Sequence, residues 1–181
     1  MAARHTLDAL HAAGDAHALP HADCYWVLPG RLLAGAYPEI HLHTLLDAGI
    51  DCFVDLTRGG ESLAPYAVAA QGRARWHGFA ITDFSTPGVG LMRRIVDTID
   101  DELSRGARVY LHCHAGVGRT GTAVGCWLVE QGFTGGEALR LIAHKRDALL
   151  GSSPETEAQR EFVRRWGARQ PDIGGSYRAA M

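Results

Sequence analysis

Apolar residues recur along this chain at two spacings. Runs that are apolar at nearly every position, and rich in aromatic or β-branched residues, lie at CYWVL (24–28), IDCFVDLT (50–57), RWHGFAI (75–81) and VYLHC (109–113). Bounded by Gly, Pro, Asp and Arg, they predict strands. LLAGAYP (32–38) predicts a further short strand that runs into a loop, after the turn signal PGR. Between these runs the spacing becomes helical. Ile40, Leu42, Leu45 and Leu46 precede Gly49, and Leu91, Ile95, Val96, Ile99 and Leu103 line one face. GRTGTAVGCWLVEQG (118–132) predicts a helix that Gly132 ends, and residues 62–72 a short one. Two more are predicted over 134–150 and 153–169, the second with Ser153 as N-cap, Pro154 in the first turn and Glu157 as an early acid.

Strands alternating with helices predict an α/β fold. We expect one domain, its central, mostly parallel sheet of about four to five strands flanked by helices. The domain should span 23–169, after a weak Ala-rich helical lead-in (1–22) broken by Pro20 and before a mobile tail (170–181) with nothing to pack. The length of 181 residues, 46% hydrophobic and 21% charged, suits a single core. A formal net charge of −2 supplies no field that would recruit nucleic acid or an anionic membrane. Cys24, Cys52, Cys113 and Cys126 form no C-x-x-C pair, which argues against a disulfide framework and suits a reducing compartment. No continuous apolar leader or membrane-length run occurs, so the expectation is a soluble, cytoplasmic protein without membrane insertion. Nothing in the pattern speaks to oligomeric state.

The candidate chemistry lies in VYLHCHAGVGRTG (109–121). Cys113 ends a predicted strand, His114–Gly118 form a loop, and Gly118 opens a helix. In open α/β sheets this edge is where ligands bind. Backbone N–H groups of His114, Ala115, Gly116, Val117 and Gly118, with the helix dipole, make an anion cradle. Gly116 and Gly118 permit the turns that aim those groups inward, and Arg119 offers a planar fork to two oxygens. The cradle favours an ionised sulfur on Cys113, to which Thr120 can donate its hydroxyl. His112 is placed to orient the loop. The stretch thus reads as a site for a tetrahedral dianion with a nucleophile beneath it.

As HCHAGVGRTG, it resembles the signature loop of the cysteine-dependent protein tyrosine phosphatases. Size and surrounding sequence, over roughly residues 24 to 166, resemble their dual-specificity branch. The resemblance implies that Cys113 attacks phosphorus to form a phosphocysteine, Arg119 binds the phosphoryl oxygens, and Thr120 assists release of the thiolate. It places a general acid on a loop between a strand and the helix that precedes the signature strand, where FAITDFSTPG offers Asp83. It implies, more weakly, that Gln159 positions water and that Glu61 braces Arg119. No metal or other cofactor is implied. The substrate expected is a phosphorylated protein or peptide, since His114, Ala115 and Val117 are not the basic residues frequent in relatives that act on inositol phospholipids.

Other readings compete. Gly116, Gly118 and Gly121 also spell a dinucleotide-binding fingerprint, but that motif has no use for Cys113 or Arg119 and needs further strand–helix units downstream. The ten His form no recognised zinc spacing, His41/His43 and His112/His114 included. A Cys–His protease is disfavoured because His112 and His114 flank Cys113 and point away from it. A phosphatase of the same fold acting on phosphoinositides or other small molecules, a non-catalytic phospho-ligand module, and a sulfur-transfer or arsenate-reducing enzyme stay open.

Overall fold

The computed structural model describes residues 18–61, 66, 67, 70 and 72–168. Residues 1–17 of the predicted lead-in, the tail and most of the predicted 62–72 helix lie outside the described residues. Five strands form one sheet: β1 (Cys24–Leu28), β2 (Leu32–Gly35), β3 (Cys52–Asp55), β4 (Arg75–Gly78) and β5 (Val109–His112). Their order is β1-β2-β5-β3-β4, with β1 antiparallel to β2 and the remaining pairs parallel. This is the mostly parallel α/β sheet that the pattern predicts.

β5 lies between β2 and β3, with Leu111 opposite Ala34 and Val54, and His112 opposite Gly35 and Asp55. A strand so placed is covered on both faces, which is why its sequence is apolar at every position but the last. Val109 and Leu111 enter one hydrophobic cluster and Tyr110 the other. β4 is the edge, and there Arg75 and Trp76 are exposed.

The helices are α1 (Leu42–Asp47), α2 (Val89–Ser104), α3 (Gly118–Glu130), α4 (Gly135–Lys145) and α5 (Glu157–Arg164). α1 packs on the Tyr110 side through Leu42, Leu45 and Leu46. The other four cover the opposite face. α2 buries Ile95, Val96 and Ile99 of the predicted stripe together with Met92, while Leu91 and Leu103 at its ends are partly buried against the same cluster. α3 is buried from Gly118 to Val129 because α2, α4 and α5 surround it. Gly125 permits the approach of α5, since a Cβ there would lie 2.7 Å from both Val163 methyls.

Thr134 and Glu137 form a capping box at the start of α4. The start of α5 corrects the predicted N-cap. Thr156 caps it, in a capping box with Gln159, while the Ser153 hydroxyl donates to Val117 O at 2.7 Å. A tertiary acceptor thus takes the side chain that the local pattern assigns to the helix.

Candidate active site

The loop after β5 owes its shape to close backbone contact. Gly116 has φ +70, and a Cβ there would lie 2.6 Å from both Ala36 N and Gly35 O at the end of β2. Only glycine meets both demands. The scaffold holds the loop's carbonyls. His114 O accepts from Tyr37 N–H at 2.8 Å. Gly116 O accepts from Arg146 Nη1 at 3.0 Å, Val117 O from Ser153 Oγ at 2.7 Å, and Gly118 O from Thr122 Oγ1 at 2.8 Å. In a planar trans peptide the C=O and the following N–H point to opposite sides. The amides of Ala115, Val117, Gly118 and Arg119 therefore point away from the groups that hold the loop. Among the described residues, none accepts a hydrogen bond from the N–H of residues 114–119. Convergent amides at a helix N-terminus bind anions.

Cys113 sits at the base of this loop and is 2% exposed. The Arg119 side chain is fully buried, and its outer nitrogens are committed. Nη1 donates to Glu61 Oε1 at 2.6 Å and to Ile81 O at 3.0 Å, and Nη2 to Glu61 Oε2 at 3.0 Å. Asp83 Oδ1 lies 3.1 Å from Nη2. The Arg119 Nε–H and the Thr120 hydroxyl are buried and have no partner among the described residues. Burial opposes the charge on Arg119, but Glu61, Cys113 and Asp83 outweigh it and raise its pKa. The hydrogen bond from Arg119 holds the Glu61 carboxyl below its ordinary value.

Asp83 is half exposed and accepts from Phe84 N–H at 3.0 Å. Phe84 has φ +57, in the left-handed region unusual for a bulky residue, with its ring exposed. The acid loop is joined to α5 by Gln159, which is fully buried and within a Cβ contact of Gly118. Its Oε1 accepts from Glu155 N–H and Thr156 N–H at 3.1 and 3.0 Å, and its Nε2 donates to Ser85 O at 3.2 Å. Its carboxamide thus ties three backbone groups together.

His112 is fully buried. Burial is the main cause that lowers its pKa, which favours the neutral ring. Its Nδ1 lies 3.2 Å from Cys113 O, so that nitrogen donates and Nε2 accepts from the Tyr66 hydroxyl at 2.5 Å. Asp55 Oδ1, held by Thr57, lies 3.9 Å from Nδ1. The structure therefore brings Cys113, Arg119, Thr120, His112, Asp83, Glu61 and Gln159 around one loop.

Sequence reasoning missed Tyr66, Arg146 and Ser153. Tyr66 lies in a stretch read as helix, Ser153 was assigned as a cap, and Arg146 follows Lys145 as an ordinary helix-end cation. None carried a local signal. Two groups among the described residues have metal-ligand character, His21–Asp23–His41 and Cys52–His77–Glu102. Neither includes a residue of the loop after β5. Glu102 already pairs with Arg75 at 2.7 Å and Arg105 at 3.2 Å, which opposes a cation there.

A strand-ended cysteine, an amide-lined loop and an arginine at the helix start, on a mostly parallel sheet, define a cysteine-dependent phosphatase fold. Residues 35–133, more than half of the chain, match the family model described as a polymorphic toxin system DSP-PTPase phosphatase, and the chain belongs to that family. It is 25% identical over 135 residues, 66% of its length, to the tyrosine-protein phosphatase cdc-14 of Caenorhabditis elegans, of which it covers 18%. It is 39% identical over 83 residues, 46% of its length, to the uncharacterized protein MJECL20 of Methanocaldococcus jannaschii, of which it covers 53%. A crystal structure of Tk-PTP in a mutant form aligns with a TM-score of 0.69 and 28% identity over 78% of this chain and 91% of that one. The chain spans only 12–53% of the length of the curated relatives that it matches.

Proposed function

We propose that this chain hydrolyses phosphomonoesters through a phosphocysteine, with phosphorylated proteins or peptides as substrates. The observation that carries this reading is the set of amides facing away from their scaffold on the loop that follows Cys113, together with the buried Nε–H of Arg119 that has no partner among the described residues. The amides and Arg119 hold the dianion. The Cys113 thiolate attacks phosphorus; an S–P bond forms as the ester P–O bond breaks, and Asp83 protonates the leaving oxygen. Asp83, now a carboxylate, takes a proton from water as its oxygen attacks phosphorus. The S–P bond breaks, inorganic phosphate leaves, and the Thr120 hydroxyl stabilises the returning thiolate. Glu61 fixes the Arg119 fork, His112 anchors the strand end, and Gln159 keeps the acid loop near Gly118.

The absence of Lys or Arg at His114, Ala115 and Val117 supports phosphoproteins over highly charged phosphoinositides. All four cysteines are free, which supports action in a reducing compartment such as the cytoplasm, and no helix among the described residues is long and apolar enough to cross a membrane. The family description suits this reaction as the activity of a toxin domain. The test is chelator-resistant release of phosphate from p-nitrophenyl phosphate, followed by a panel of phosphotyrosine peptides, phosphoserine peptides, phosphoinositides and nucleotides. Cys113→Ser should keep phosphate-ester binding and lose turnover, and turnover near wild type would remove Cys113 as the nucleophile. Preferential turnover of phosphoinositides would overturn the substrate assignment.

A further inference from the structure

Four loop carbonyls are held from outside, by a backbone amide, two hydroxyls and one guanidinium. The guanidinium is the costly choice, because a buried cation gives up far more hydration than a hydroxyl does. Arg146 follows α4 and is 5% exposed. Its Nη1 donates to Gly116 O at 3.0 Å and its Nη2 to Leu150 O at 3.4 Å, and the guanidinium lies 5.3 Å from the centre of the Tyr25 ring. Its buried Nε–H has no partner among the described residues. The contact to Leu150 O is the longer of the two, and for the Gly116 carbonyl alone a neutral donor would serve, as Ser153 does for Val117 O one residue later.

We infer that Arg146 is a positioning residue for oxyanion binding: it fixes the Gly116–Val117 peptide with the Val117 amide turned into the loop, and places a second positive charge behind it. This rests on the phosphatase reading of the loop and extends it to a residue outside the signature. The chain on either side of Arg146 closes a groove of about 600 Å³ that Arg140, Arg160 and Arg164 also line. Arg160 and Arg164 are paired with Glu157, whereas Arg146 alone among the four donates to the signature loop. An amide that loses its fixed orientation no longer counts among the donors to the oxyanion, and one such donor is worth roughly a hundredfold or more in turnover where it has been removed from other active sites.

Tungstate binding by calorimetry reads the cradle without turnover. Arg146→Met should weaken tungstate about tenfold and lower kcat/KM for p-nitrophenyl phosphate by a similar or larger factor, with KM raised as well as kcat lowered. Arg146→Lys, which keeps the charge and one donor, should recover most of the affinity. Arg140→Met, an exposed cation on the same groove, should leave affinity unchanged. A folded Arg146→Met with wild-type tungstate affinity would overturn the inference, and so would an Arg140→Met that weakens tungstate as much, because the effect would then be general charge. Should Arg146→Met not fold, Arg146→Gln decides: it keeps a donor and loses the charge, so about threefold weaker binding supports the inference and unchanged binding overturns it. Wild-type protein that binds tungstate but hydrolyses no ester would sink the hydrolase reading while leaving these comparisons to decide on Arg146.

Discussion

Replacing Glu61 by Gln tests how far the buried guanidinium depends on its carboxylate. Glu61 grips Arg119 through both oxygens, at 2.6 and 3.0 Å, and is 19% exposed against 0% for the arginine. Removing one partner of a fully buried pair costs about 3–5 kcal/mol. Three features reduce that here. Glu61 is partly solvated, Gln retains one acceptor oxygen, and Asp83 remains 3.1 Å from Nη2. The expected loss is about 2 kcal/mol, which for a chain of this size lowers Tm by roughly 4–8 °C. Activity should suffer as well, since a guanidinium free to turn presents its Nε–H poorly. A fall of about 10–100-fold in kcat/KM corresponds to roughly 1.4–3 kcal/mol of lost transition-state binding. The pH dependence has a definite sign. Arg119 depresses the Glu61 pKa from its ordinary 4.5 in the folded chain. Stabilisation from the pair is therefore complete above about pH 4.5 and fades as pH falls from there through the depressed value. The stability of the wild type should drop more steeply in that acid window than that of Glu61→Gln. Thermal melts from pH 7 to pH 3 and steady-state kinetics on both proteins check this. A Glu61→Gln protein with Tm within a degree of wild type and undiminished kcat/KM would refute the bracing role.

Two other substitutions probe the loop and the acid proposed for it. Asp83→Asn should cost roughly two to four powers of ten on esters with poor leaving groups and much less where the leaving oxygen needs no proton; equal losses on both would reject Asp83 as the acid. Gly116→Ala forces a side chain into φ +70 and against Ala36 N and Gly35 O at 2.6 Å. Strain and overlap together should cost roughly 2–4 kcal/mol or displace the loop, so calorimetry should show weakened tungstate binding with a lowered Tm, and wild-type values for both would show that the backbone there has room to move.

Much of the site was legible because its recognition is local. The order strand, cysteine, glycine-spaced loop, arginine and helix places Cys113, Arg119 and Thr120 by chain connectivity alone, and the only carboxylate of the preceding loop is Asp83. What surrounds that loop was less legible. Glu61 was a weak expectation, and it faces Arg119 because β3 is the sheet neighbour of β5, with Asp55 opposite His112. Nothing in the local pattern shows that the Gln159 carboxamide ties Ser85, Glu155 and Thr156 together. Ser153 left its expected place as a helix cap for the carbonyl of Val117.

By itself the sequence determined the periodic elements, the mostly parallel α/β layering and the strand–loop–helix order of the signature stretch, because hydrophobic spacing, turn residues and a contiguous motif act between residues close along the chain. Only the tertiary structure decided which distant groups hold that loop, namely Tyr37, Arg146 and Ser153 on its carbonyls, Tyr66 on His112 and Glu61 on Arg119. Such partners are selected by strand order and by the need to satisfy each buried polar group. Those constraints exist only once the sheet and its helices have assembled.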